Sequence, residues 1–209
     1  MRFTSFLVIL SLIGAAGLYA DYQIKTVKVL PVESYPARLT LGGVTIAADP
    51  YGTDERCFTV FDVKDLNSRG YYLVHVIIQN SSPNYVGIRT QSIVLITGSE
   101  QQLYATPATI VVQDVIKGSL LSKLPKMKSH DPTTSTKAGS PLVDFTSKEL
   151  TNRQIEPGTV SDGFIFFFTP KPKKGFFSGS IISIPQVIEE GTRKALGPFN
   201  IPLNQATEQ

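Results

Sequence analysis

The feature that most limits what this chain can fold into is residues 71–79, Tyr-Tyr-Leu-Val-His-Val-Ile-Ile-Gln. The run is aromatic and β-branched, and it is bounded by Gly70 on one side and by Asn80-Ser81-Ser82-Pro83 on the other. It is too continuously apolar for a strand with one wet face. Such a strand needs cover on both faces, so it is predicted to be central in its sheet. Residues 160–169, Val-Ser-Asp-Gly-Phe-Ile-Phe-Phe-Phe-Thr, form a second strand of the same kind after the turn signal Glu156-Pro157-Gly158.

Shorter β-prone runs surround these two. Residues 37–41 and 44–48 flank Gly42-Gly43, which suits a tight hairpin because both glycines accept positive φ. Asp49-Pro50-Tyr51-Gly52 reads as the turn that ends the second of them. Residues 53–67 lean to a short helix opened by Thr53 or Asp54, with Phe58, Phe61 and Leu66 on one face, while residues 57–60 fit a strand equally well. Residues 86–97 alternate and predict a long strand hairpinned to 71–79, extended by a strand at 102–105. Residues 107–124 change to helical spacing, with Val112, Val115, Ile116, Leu120 and Leu124 on one stripe and Pro107 at its start. Residues 125–141 are Lys-, Ser- and Thr-rich without apolar period, a predicted mobile loop. Residues 145–155 form a short helical or extended piece. Residues 176–185 and 194–203 each predict one more strand. Seven to nine strands with one or two short helices make an all-β antiparallel sandwich the expected fold.

The N-terminus carries a different signal. Met1-Arg2, an apolar run over residues 6–18 and the small residue Ala20 before Asp21 have the three-part layout of a secretory signal peptide over residues 1–20. A spanning helix would need about 20 apolar residues, and Asp21 interrupts the run first. Leu18 occupies the place where a small residue is preferred, so cleavage after Gly17 and a retained membrane tether both stay open. No cysteine stands just after the run, Cys57 lying far downstream, which excludes an ordinary lipoprotein anchor. The organisation expected is signal 1–20, an extended leader or edge strand at 21–36, a sandwich domain at 37–203 and a tail at 204–209. Localisation is expected to be periplasmic or extracellular.

The string Leu41-Gly42-Gly43-Val44-Thr45-Ile46-Ala47-Ala48-Asp49-Pro50-Tyr51 is joined by Val76-Ile77-Ile78-Gln79-Asn80 and by Ile155-Glu156-Pro157-Gly158 leading to Gly163-Phe164-Ile165-Phe166-Phe167. Together they resemble a group of exported bacterial proteins with an immunoglobulin-like sandwich. The likeness runs over residues 37–203. It implies the fold and export; its motifs mark turns and strand ends, and it brings no catalytic residues.

Chemistry-bearing residues are sparse. The chain has one cysteine, Cys57, and two histidines, His75 and His130. Cys57 reads as a buried small hydrophobe. His75 reads as a satisfied, partly buried strand residue, and His130 lies in the loose loop. Asp49, Asp54 and Glu55 lack the alternating ligand spacing of a calcium loop and read as turn and capping residues. Glu189-Glu190 reads as a solvated turn. There is no Gly-x-Ser-x-Gly elbow, no Gly-x-Gly-x-x-Gly and no Walker pattern, so no catalytic residue, metal or cofactor is expected. The formal charge of +3 does not call for nucleic acid.

One basic feature remains. Lys117, Lys123, Lys126, Lys128, Lys171, Lys173 and Lys174 are candidate contacts to an anionic surface. Lys137 lies in the loop itself. The expected function is an exported, non-enzymatic binding or structural module of the bacterial envelope or secretome. Its partner would be a protein or an envelope polymer, and membrane contact would come only through an uncleaved N-terminal segment. A secreted hydrolase and a membrane-tethered envelope assembly factor are the alternatives.

Overall fold

The computed structural model describes residues 22–121 and 140–203; the expected signal peptide and the tail at 204–209 lie outside them. Gly42 and Gly43 take φ of +57° and +80°, the pair of left-handed positions that a two-residue hairpin turn requires. They join β1 (Arg38–Leu41) to β2 (Val44–Tyr51). β2 runs through the expected Asp49-Pro50-Tyr51 turn and pairs with β3 (Tyr71–Asn80) up to Tyr51↔Leu73. Proline is tolerated there because β1 has already ended. The Ala48 amide makes the last bond to that side, donating to the Ala37 carbonyl at 2.9 Å. Two residues on, a Pro50 amide would point the same way with no strand to receive it.

β3 is central, as its composition requires. It lies between β2 and β8 (Val160–Phe168), and all its residues but Gln79 are buried. The remaining elements are α1 (Asp54–Phe58), β4 (Val86–Ile88), β5 (Val94–Ile96), β6 (Gln102–Thr106), α2 (Ala108–Leu121), α3 (Pro141–Lys148), β7 (Arg153–Ile155), β9 (Ile181–Ile184), β10 (Val187–Glu189), β11 (Lys194–Leu196) and β12 (Phe199–Pro202). One sheet has the order β1-β2-β3-β8-β6-β5-β9-β12, and the other β11-β10-β4-β7. Every strand pair is antiparallel. This is the expected all-β sandwich with a few short helices, with twelve strands among the described residues rather than seven to nine.

The two faces of β3 feed different cores. Tyr72, Val74, Val76 and Ile78 point into the space between the sheets, where Val86, Ile88 and Val187 of the small sheet meet them. Tyr71 and Leu73 point outward, with Phe164 and Phe166 of β8, into a second core under the helices. Each large apolar side chain buried there contributes about 1.5–3 kcal/mol, which offsets the weak intrinsic helix propensity of α1 and α2. Val111, Val112 and Val115 of α2 are buried in it, and Phe145 of α3 lies 4.1 Å, centroid to centroid, from Phe61.

Residues 22–36 contain no strand; apart from a 3-10 turn at Val32–Ser34 they run extended over the outer face. Tyr22 donates its hydroxyl to the buried Asp144 at 2.6 Å, and Lys148 lies 2.6 Å from the other oxygen of that carboxylate. Lys25 reaches the Phe58 carbonyl, with its ammonium 3.1 Å above the Phe58 ring. Val32 and Tyr35 cover Ala47 and Ile77.

Several sequence expectations are corrected. Residues 86–97 are not one strand paired with β3; β4 joins the small sheet, a 3-10 turn at Thr90–Ser92 redirects the chain, and β5 joins the large sheet. Burial falls on Val86 and Ile88 before the turn and on Ile93 and Leu95 after it, so the alternation shifts phase where the chain changes sheet. α3 opens within the expected loop 125–141, because Ser140 caps it, accepting from the Val143 amide at 3.3 Å, and Pro141 takes its first turn. Of residues 176–185 only β9 is strand. Residues 194–203 divide into β11 and β12 at Gly197, whose φ of +128° lies outside strand geometry.

Gly163 sits inside β8, where a Cβ would meet the Leu150 backbone at 2.7 Å. A glycine at that place marks a close backbone approach. Gly163→Ala is therefore expected to destabilise the domain by about 1–3 kcal/mol, read by urea denaturation; an unchanged midpoint would show that the Leu150 segment yields freely.

Candidate functional site

Tyr72 lies near the start of β3, and its phenol fixes the backbone of the loop that follows β8. The Tyr72 oxygen accepts from the Lys173 amide at 2.8 Å and donates to the Lys173 carbonyl at 3.0 Å. Phe176 stacks on the Tyr72 ring at 3.7 Å between centroids. With its backbone held on the protein side, the loop leaves Lys171, Lys173 and Lys174 exposed to solvent.

These lysines stand where two open hollows meet. One, of about 450 Å3, runs between Lys173 and Lys174 and the start of α1, with Asp54, Glu55 and Ser68 on the far wall. The other, of about 310 Å3, lies between all three lysines and the β5–β6 turn at Thr97, Ser99 and Gln101. Asp54 is committed to structure, accepting from the Asn67 amide at 2.6 Å, the Ser68 amide at 3.2 Å and the Ser68 hydroxyl. Of the other candidate lysines, Lys117 belongs to α2. Its side chain, like Lys123, Lys126, Lys128 and the loop's Lys137 and His130, lies outside the described residues. The structure thus brings together three of the seven candidates.

His75 is fully buried rather than partly so, at 1% exposure, on the outer face of β3. Its Nε2 is 2.7 Å from Asp162 Oδ2, and its ring stacks on Phe164 at 4.6 Å. On the neighbouring strand Asp49 stands opposite, 2.6 Å from Arg56 Nη2. Burial pushes the Asp49 carboxyl above its ordinary range, against the pull of Arg56. Arg56 also donates to the Pro50 carbonyl at 2.9 Å, the acceptor that no strand takes up. The cluster is closed upon itself: each charged group has its partner on the sheet or on α1, and the histidine offers no free face to a substrate.

Cys57 is buried beside the Tyr51 carbonyl and the Asn67 side chain. Burial pushes its thiol up to about 12. Glu189 is solvent-facing, and hydrogen bonds from Asn84 and Thr192 hold its carboxyl below the ordinary range. Among the described residues no three His, Cys, Asp or Glu side chains are grouped to hold a metal ion, and no assembled catalytic constellation is seen. No described helix is long and apolar enough to cross a membrane.

Sequence reasoning passed over three arginines. Arg89, Arg153 and Arg193 line a hollow of about 690 Å3 on the outer face of the small sheet. They are scattered singly along the chain, so no local charge run announces them.

No protein-family model matches the chain, and no curated protein matches it. Among solved structures, the crystal structure of the yjhA protein from Bacillus subtilis aligns with a TM-score of 0.37 at 7% identity, covering 72% of this chain and 78% of that one.

Two outcomes follow from the buried groups. Asp162→Ala leaves a buried imidazole nitrogen without its partner and is expected to cost about 1–3 kcal/mol, with Asp162→Asn milder; equal urea midpoints for wild type and the alanine variant would show that His75 is satisfied elsewhere. Because the Cys57 thiol is raised in the fold from its ordinary 9.0 to about 12, its protonated form is the one the fold favours. Its contribution is intact below the unfolded value and is lost as pH rises toward the folded one. Ellman's reagent should therefore find no thiol in the native protein at neutral pH and one after denaturation; prompt native labelling would contradict the burial.

Proposed function

We propose that this domain is a non-enzymatic binding module, exported to the bacterial envelope or secretome, that meets an anionic surface through the loops at one end of its sandwich. The observation that carries the reading is the Tyr72-anchored turn, which holds three exposed lysines where two open hollows join. Lysine is a compact, strongly hydrated charge on a flexible stem, suited to a diffuse anionic surface rather than to one shaped ligand. The secretory layout of residues 1–20 and the resemblance to exported sandwich proteins support the location. The closed His75–Asp162 pair argues against the hydrolase alternative, since a general base must reach the proton it removes.

Vesicle co-sedimentation tests the reading. Mature protein is expected to bind phosphatidylglycerol vesicles and not phosphatidylcholine vesicles, with binding that falls as salt rises. The triple substitution Lys171→Glu, Lys173→Glu, Lys174→Glu should weaken it on the order of 100-fold at low salt, at about 1 kcal/mol per lysine. Binding that ignores salt, or survives the triple substitution, would overturn the proposal. Mass spectrometry of the exported N-terminus checks the location separately: an intact Met1 would refute a cleaved signal.

A further inference from the structure

The hollow on the outer face of the small sheet has a different character from the lysine turn. Its floor is Gly87, at the middle of β4, flanked in register by Gln154 of β7 and Ile188 of β10. A side chain there would fill the trough: a Cβ at Gly87 would stand 3.0 Å from Glu190 Oε1. The Glu190 carboxylate therefore lies over the floor of the trough.

Three arginines line the trough from three separate elements. Arg89 follows β4, Arg153 opens β7, and Arg193 lies in the turn between β10 and β11. Arg153 is positioned by neutral partners only, donating to Ser161 Oγ at 3.0 Å and to Thr151 Oγ1 at 3.3 Å. No ion pair among the described residues uses any of the three. Arg193 is held at φ +56°, a left-handed conformation that glycine or asparagine ordinarily supplies and that, in an arginine, points from strain toward use. The rim beside Arg89 is braced as well: Asn152 accepts from the Thr90 amide at 2.7 Å and donates to Gln91 Oε1 at 3.0 Å.

A fork of guanidinium donors matches a carboxylate two bonds at a time. Three forks, one acceptor carboxylate and the side-chain amide of Gln154, in a trough of about 690 Å3, fit a ligand that carries both acidic groups and hydroxyls. The trough lies within the size range of small-ligand sites. It is lined by no aromatic side chain for stacking bases, and Glu190 would oppose an unbroken line of phosphates. From this geometry we infer that the outer face of the small sheet is a second, discrete binding site for uronate-bearing saccharide, with Arg89, Arg153 and Arg193 on the sugar carboxylates and Glu190 on the hydroxyls. The site is independent of the lysine turn.

Titration calorimetry with trigalacturonate on the mature domain tests this. Saturable binding is expected, weakened about tenfold or more by Arg89→Gln and again by Arg193→Gln. The triple lysine substitution should leave it unchanged. The methyl-esterified trisaccharide, which keeps the hydroxyls and loses the charge, should bind at least tenfold more weakly than the acid. Absence of saturable binding would overturn the inference, as would equal affinity for the ester, equal affinity for inorganic phosphate or oligoglutamate, or a loss that follows the lysines instead of the arginines. Arg89 and Arg193 are exposed, so their substitution leaves both cores intact; Gly87→Ala, which narrows the trough and presses on the Glu190 carboxylate while leaving every charge in place, should also weaken binding, and its thermal midpoint reports whether the fold is kept.

Discussion

Burial of β3 on both faces is the constraint from which the rest of this structure follows. Its even-numbered residues fill the space between the sheets, and its odd-numbered residues demand a second cover. That cover comes from three unrelated pieces: the extended leader, the short helix after β2, and the pair α2 and α3. None would be stable alone, and each is drawn in by aromatic and aliphatic surface that β3 and β8 leave outward. The same demand explains the polar residues trapped there. His75 lies between the helix-covered patch and the leader-covered patch, where an unpaired imidazole would be costly, and Asp162 from the adjacent strand supplies its partner.

The cover is pinned as well as packed. Asp144 is wholly buried on α3, yet it holds Tyr22 from the leader and Lys148 from its own helix, while Lys148 also donates to the Val60 carbonyl at 2.7 Å. One carboxylate thus ties together the leader, α3 and the segment after α1. Removing either Asp144 or Lys148 would strand the other's buried charge, which costs far more than an exposed ion pair contributes. Arg56 performs a similar service at the other end, joining α1 to Asp49 and to the Pro50 carbonyl.

What could be read in the sequence was whatever one strand or one turn determines alone. β3, β8, the Gly42-Gly43 hairpin and α2 each carry their own period or their own glycines, and each stands where its residues indicated. The errors fall where tertiary geometry decides. Val86 and Ile88 alternate, as do Ile93 and Leu95, but the two stretches are out of phase by one residue and belong to two sheets, and the run read as one strand hid that change. Gly197 and the 176–180 segment break apparent strands for the same reason. The basic clusters divide likewise: Lys171, Lys173 and Lys174 are adjacent in the chain and were legible, whereas Arg89, Arg153 and Arg193 become neighbours only once β4, β7 and β10 are paired.

The large sheet curls until β12 lies against β1, so the first and last strands of the domain become neighbours. Contacts of such sequence separation form late, because the whole intervening chain must be closed before they gain anything. A polypeptide built this way cannot make its closing contact until its final strand has been synthesised. An open chain is also what a translocation channel can thread. The topology would therefore delay compaction during the interval in which the proposed export must occur.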